Sequence, residues 1–311
     1  MTRTTRGGSA IAFSLMLLIA LPAAGGGLYL AEFGTADMGT AGAGALARAG
    51  DAATAIENPA GMTYLDDHQA QFGLAPGYGL VKFDQDDDTP VPGNNGGNQS
   101  GFIPLLSSSY VHKLSDRFRL GFGVVSISGA SLNPRSDWAG SNDLQEISLL
   151  TFTFLPSVAV RVTDWLSLGA GPAITYATLD WKLQGPGPLG AKVKFDQFDD
   201  VEAAAHLSAI VRPLPELRFG LVFQSKTDLE LNGKVKNPTA LDLANTKLGL
   251  PLPNALRSEV WWDVTPKVAL MAGAALEEWS AADQVPLTVQ GIGTQKVKLG
   301  LKDTWKLRGG V

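Results

Sequence analysis

The sequence predicts an all-β protein whose strands form a transmembrane antiparallel barrel. Three observations carry this. The chain opens with an export leader, its later segments alternate bulky and small residues over a dozen positions at a time, and tight polar turns alternate with long polar connections.

The leader comes first in the chain. Arg3 and Arg6 precede an apolar run from Ala10 to Leu21, and Pro22 to Gly27 is small and flexible, the three-part layout of a secretory signal peptide over residues 1–25. The apolar run is about a dozen residues, short of the roughly 20 needed to cross a bilayer as a helix. Cleavage is expected between Ala23 and Gly26, placing the mature chain outside the cytoplasm.

Composition narrows the function classes. No cysteine is present, which excludes a disulfide framework, a thiolate nucleophile and a Cys metal site. With 25 Lys and Arg against 30 Asp and Glu, the chain lacks the basic footprint of a nucleic-acid binder. No mature segment is apolar for 18 residues, so helical spans are excluded while barrel strands are not.

Alternation defines the strands. Leu166, Leu168, Ala170, Pro172, Ile174 and Tyr176 share one face, with Ser167, Gly169, Gly171, Ala173, Thr175 and Ala177 on the other. Phe118, Leu120, Phe122 and Val124 oppose Arg119, Gly121 and Gly123, and Leu217, Phe219, Leu221 and Phe223 oppose Arg218, Gly220 and Gln224. A soluble sandwich would carry many charges on its outer face. Here the second face is small, as for a wall whose bulky residues meet lipid and whose inner side leaves a lumen.

Ten strands are expected, at about Ala70–Phe83, Phe102–Leu114, Phe118–Ala130, Glu146–Val162, Trp165–Leu183, Phe195–Val211, Leu217–Val235, Asn254–Val264, Val268–Trp279 and from Leu299 onward. Asp116, Asp164, Pro215 and Pro266 mark tight turns about 50 residues apart, one hairpin per interval. That interval also suits a propeller blade, but a blade needs four short strands where this chain has room for two long ones. The tight turns are assigned to the periplasm. The long connections, among them Asp84–Ser100, Gln184–Lys194, Lys236–Pro253 and Ser280–Lys298, are assigned to the outside.

At Gly27–Met62 (GLYLAEFGTADMGTAGAGALARAGDAATAIENPAGM) the sequence resembles the FadL/TodX-type outer-membrane transporters of long-chain fatty acids and other hydrophobic compounds, above all through Asp51 and Asn58-Pro59-Ala60. The resemblance continues in Pro156–Tyr176, Gly220–Gly233, Leu250–Ser280 and Leu301–Trp305. It implies a fourteen-stranded barrel with an N-terminal hatch (residues 26–66) folded inside the lumen of a barrel formed by residues 67–311, about ten strands of which fall within this chain, so the barrel is expected to be C-terminally incomplete. Small residues suit a plug that packs irregular backbone against a wall, and Asn-Pro ends a turn and redirects the chain.

The resemblance further implies passive uptake, with a fatty acid or hydrocarbon as ligand, outer-membrane lipid as surroundings, and a monomer without cofactor or catalysis. It also implies a lateral exit at a kink in the third strand, for which Gly129 is the candidate. Leu241, Leu243, Leu248 and Leu250 are the candidate capture surface, and a short helix is expected over Ala240–Leu248. Other patterns carry less. Gly42-Ala43-Gly44-Ala45-Leu46-Ala47 matches a dinucleotide fingerprint but follows no strand, Asp86-Asp87-Asp88 reads as a solvated loop, and His68, His112 and His206 lack ligand spacing. A general porin and an adhesive surface barrel are the rival functions.

Overall fold

The computed structural model describes residues 29, 35–85, 92–126, 129–135, 137–141, 144–184, 192–236, 244–291 and 293–311. The expected leader, Asp86-Asp87-Asp88, Leu241 and Leu243 lie outside them.

Alternation resolves into fifteen strands of one antiparallel sheet: β1 (Gln69–Tyr78), β2 (Phe102–Lys113), β3 (Phe118–Val125), β4 (Gly129–Leu132), β5 (Glu146–Arg161), β6 (Leu166–Gln184), β7 (Lys192–Leu214), β8 (Leu217–Gln224), β9 (Thr227–Lys236), β10 (Ala244–Leu252), β11 (Ala255–Thr265), β12 (Val268–Glu277), β13 (Gln284–Val289), β14 (Gly293–Lys298) and β15 (Thr304–Gly310). The barrel wall runs β1-β2-β3-β5-β6-β7-β8-β11-β12-β15, ten strands in path order. Each of the expected ten has a counterpart on that path. The four tight turns join β2 to β3, β5 to β6, β7 to β8 and β11 to β12.

The two faces separate as the residue sizes dictate. Phe72, Leu120, Phe122, Phe152, Leu168, Leu207, Leu221, Trp305 and Leu307 are exposed on the outside, while Ser109, Thr153, Ala173, Ala177, Ser208 and Ala275 are buried on the inside. In water so many exposed apolar side chains would be a liability; against acyl chains they are the stabilising surface.

Departures from the expected strands have local causes. The third strand breaks: β3 ends at Val125 opposite Thr153, and β4 starts at Gly129 opposite Leu150. From Val125 to Gly129 this strand advances four residues while its partner advances three, from Thr153 to Leu150, a shift in register of one residue. The strand expected over Leu217–Val235 breaks at Ser225 and Lys226, because β8 pairs with β11 whereas β9 leaves to pair with β10. The helix expected over Ala240–Leu248 is corrected: Ala244–Leu252 is strand β10, since Thr246, Leu248, Leu250 and Leu252 alternate against Asn245, Lys247, Gly249 and Pro251 and have β9 to pair with. The loop expected over Ser280–Lys298 likewise contains the β13–β14 hairpin. Together β9, β10, β13 and β14 raise a small sheet above the barrel end opposite the tight turns. Its inner side closes over Leu149, Leu179, Phe195, Phe198, Leu229 and Leu231.

Candidate functional site

Residues 35–65 fill the lower lumen as short turns: a 3-10 turn at Ala36–Thr40, single helical turns at Ala45–Arg48 and Thr54–Glu57, and a second 3-10 turn at Pro59–Tyr64. None is long enough to be stable alone. Packing holds them. Ile56 meets Val125, Leu155, Ala173 and Ala204; Met62, Ala52 and Leu65 meet Val111 and Ala159; and Ala60 meets Ile210.

The small inner face is what lets backbone approach backbone. A Cβ at Gly169 would overlap the amide of Ala60 and stand 2.7 Å from the Pro59 carbonyl carbon. One at Gly220 would overlap the carbonyl oxygen of Leu46. Only glycine fits either place.

Asn58 is the knot of this segment. Its extended backbone (φ −151°) turns the chain, and its Nδ2 donates to the carbonyls of Leu46 at 2.6 Å and Ala209 at 3.3 Å. Its Oδ1 accepts from the Ala60 amide at 3.1 Å, an amide that also lies 3.0 Å from Ser208 Oγ. Pro59 opens the following 3-10 turn, where its missing N–H costs nothing. Asp51 accepts from the Ala53 amide at 2.9 Å and pairs with Arg48 at 2.5 Å, while Arg48 pairs with Asp37 at 2.8 Å. Burial, and then the neighbouring Asp37 carboxylate, push the Glu57 carboxyl well above its usual range.

Wall arginines complete the seat. Arg119 donates to the Leu65 carbonyl at 2.8 Å, Arg218 to the Arg48 carbonyl at 2.6 Å, and Arg161 to the Thr63 carbonyl. Arg161 and Arg212 also lie over the Tyr64 ring, at 5.6 and 5.9 Å. Arg119, Arg161 and Arg218 thus each supply a donor to a carbonyl of the plug's broken turns, whereas Arg212 donates to the Pro215 carbonyl of the wall.

Above the plug lies a charged shelf. Strand register stacks two inward rows, Gly171-His206-Gln224-Ala255-Glu277-Thr304 and, one step lower, Gly169-Ser208-Val222-Arg257-Ala275-Lys306. Of these, His206, Gln224, Ala255, Arg257, Glu277 and Lys306 line a cavity of about 70 Å³ that Tyr29, Asp37, Glu57 and Arg308 also line. Lys306 pairs with Glu277 at 2.7 Å and Arg308 with Glu259 at 3.2 Å. Arg257 makes no ion pair among the described residues. Its Nε, both ring nitrogens of His206 and Nε2 of Gln224 are buried without a hydrogen-bond partner. Buried donors of this kind are costly to leave unmade.

Above the shelf the lumen becomes apolar. Leu248 is buried in the cluster with Phe198, Leu229 and Leu231, Leu250 packs at its edge, and Tyr29 bridges down to the shelf, its hydroxyl donating to the Pro253 carbonyl at 3.1 Å. Of the four leucines proposed for capture, the two described ones therefore face inward.

Gly129 begins β4, which pairs with β5 alone, while Phe102–Leu106 of β2 pairs only with β1. Among the described residues, the wall between β2 and β4 has no ladder. The sequence reading singled out Asp51, Asn58, Pro59 and Ala60, which the fold gathers at the plug corner, and Gly129, which sits at the wall break. It missed Arg119, Arg161, Ser208, Arg257, Glu259, Lys306 and Arg308. Their signal was a charge or hydroxyl on the small-residue parity of a strand.

A lipid-facing barrel, a seated plug and a polar shelf below an apolar vestibule define a plugged outer-membrane transport barrel. The chain belongs to the family of outer membrane protein transport proteins (OMPP1/FadL/TodX), whose model matches residues 16–311. It therefore sits in the outer membrane, in a family of transport channels for hydrophobic compounds. Similar solved structures include a Pseudomonas aeruginosa FadL homologue (20% identity, 91% of this chain and 76% of that one, TM-score 0.76). The Ralstonia pickettii toluene transporter TbuX is similar at 17% identity over 82% of this chain and 75% of that one, TM-score 0.63. The monoaromatic hydrocarbon channel CymD is similar at 18% identity over 88% and 78%, TM-score 0.63. At these identities the likeness shows the fold alone. No match among curated protein sequences reaches significance.

Proposed function

We propose that this chain imports, passively and as a monomer, amphiphiles with a long apolar tail and an acidic head, of which long-chain fatty acids are the type. The observation that carries the reading is the vertical order of the lumen: an apolar cluster outside, then a shelf with the buried Arg257, whose Nε has no hydrogen-bond partner, and orphan nitrogens on His206 and Gln224, then the plug. An uncharged hydrocarbon has no use for that shelf. A tail of a dozen methylenes gains on the order of 10 kcal/mol on leaving water, enough for capture from dilute solution.

Release needs the site to loosen. The cavity is too small for a tail while the plug is seated, so the plug shifts or the ligand leaves sideways between β2 and β4, with the bend at Gly129 as the hinge of that exit. Leu248 and Leu250 form part of the apolar entrance. A porin would instead need an open charged lumen, which the seated plug disfavours.

The test uses two ligands with one tail. Purified protein is expected to bind oleate more tightly than oleyl alcohol, and Arg257→Gln to weaken oleate by about tenfold or more, the worth of a buried charge-assisted hydrogen bond, while leaving the alcohol unchanged. Equal binding of oleate, oleyl alcohol and toluene, indifferent to Arg257→Gln, would instead establish a hydrocarbon channel.

A further inference from the structure

The outer side of the raised sheet is a different surface from the lumen it covers. β7 is 23 residues long, more than twice the 9–11 residues that a strand needs to cross a bilayer, so its upper part and the strands beside it stand above the acyl chains. Their inner parity is apolar: Phe195, Phe198, Leu231, Val235, Leu248 and Val285 are all buried. Their outer parity continues the lipid-facing parity of Leu150, Phe152, Leu221 and Phe223, and there the residue type changes to lysine.

Register places Lys182, Lys194 and Lys236 side by side on β6, β7 and β9. Lys234, Lys247, Lys296 and Lys298 share that face across β9, β10 and β14, since Lys234 opposes Asn245, Lys247 opposes Thr288, and Thr288 opposes Thr294. Carboxylates satisfy part of the set: Glu146 pairs with Lys182, Asp196 with both Lys194 and Lys236, and Glu230 with Lys247 at 2.6 Å. Asp180 and Asp228 lie one step lower on the same face, the latter paired with Lys226 at 2.8 Å. Lys234, Lys296 and Lys298 are exposed and make no ion pair among the described residues, although Asp196 lies directly opposite Lys234 and Asp199 shares the face.

Like charges directly opposite on neighbouring strands destabilise a sheet, and this chain carries a net charge of −5. A lysine surplus gathered on one face, just above a lipid-facing belt, is therefore a local feature against the overall charge. Its complement is an anion held at that height.

The geometry points to a docking surface for the phosphate groups of the phosphorylated glycolipid in the outer leaflet. Flexible ammonium groups suit phosphates whose positions vary from molecule to molecule, while the acyl chains of the same lipid lie against the exposed Leu221 and Phe223. The contact is peripheral to the lumen and independent of which ligand is imported.

The test uses the full chain in detergent micelles, with lipid A carrying both phosphates and the same lipid dephosphorylated as probes. Phosphorylated lipid is expected to raise Tm and to bind at least about tenfold more tightly than the dephosphorylated form, falling with added salt. The combined variant Lys234→Gln, Lys296→Gln, Lys298→Gln should lose that preference, the corresponding Lys→Arg variant should keep it, and Lys267→Gln at the opposite end of the barrel should not alter it. Equal binding of the two lipids by the unaltered chain would overturn the inference, as would an unchanged preference in the triple Gln variant. A Tm rise given equally by inorganic phosphate would show a free-anion site and overturn it as well.

Discussion

The lower and upper lumen share strands β5, β6 and β7 and are filled in opposite ways. In the lower half the filling is backbone, so the wall is cut down to Gly169, Gly220, Ser208 and Ser167, and arginines reach in to carbonyls of the plug. In the upper half the filling is side chain, and the same inward parity carries Phe195, Phe198, Leu229 and Leu231. The difference teaches what inward parity means in this barrel. A small wall marks where irregular chain must approach and be hydrogen-bonded, whereas a bulky wall marks where the lumen closes on itself or on an apolar guest.

The sharpest break of that contrast is in the upper half. Leu231 is fully buried, and Leu231→Ala should cost about 2–5 kcal/mol of stability by transfer and cavity terms, read as a lowered midpoint in denaturant, without exposing residues 35–65 to protease. A loss confined to the plug would mean that the upper cluster does not support the wall.

Next comes a pair of neighbours on opposite faces. Leu168→Arg, on the lipid side, should cost about 2–4 kcal/mol if it lies near the midplane. Gly169→Arg should leave heat-modifiable barrel mobility on a gel intact while displacing the plug, because its side chain enters the space of Pro59 and Ala60. Equal stability losses would contradict a lipid face and a plug face one residue apart.

The plug corner should respond more modestly. Asn58→Ala removes the donor to the Leu46 carbonyl and leaves the Ala60 amide to Ser208 alone, at about 1–3 kcal/mol, and should raise protease cleavage within residues 35–65 and change uptake with the barrel assembled. Loss of the assembled barrel in this variant would give Asn58 a role in the wall.

The smallest effect concerns pH. Glu57 holds its proton more tightly in the seated plug than when released, so the seated form binds more protons between the ordinary carboxylate range and the raised value. Docking therefore weakens as pH rises through that window and levels off above it. Glu57→Gln should flatten the pH dependence of plug protease resistance; an unaltered profile would show that Glu57 does not carry it.

What the sequence determined by itself was everything written in local alternation. Period-two runs such as Leu166–Tyr176 state both the strand and its two environments, because one side chain in two meets lipid whatever the neighbouring strand is. The tight turns and the ten strands of the wall path were legible for the same reason. Only the tertiary structure decided which segments find a partner strand. Ala244–Leu252 has leucines that suit a helix or a strand, and the unpaired edge of β9 selects the strand, just as β13 and β14 exist because β10 offers an edge. The shelf was likewise invisible in one dimension: His206, Gln224, Arg257 and Lys306 come from four strands, and only the register between those strands brings their side chains to one cavity, since long-range pairing, and not local propensity, fixes which residues share a level in a barrel.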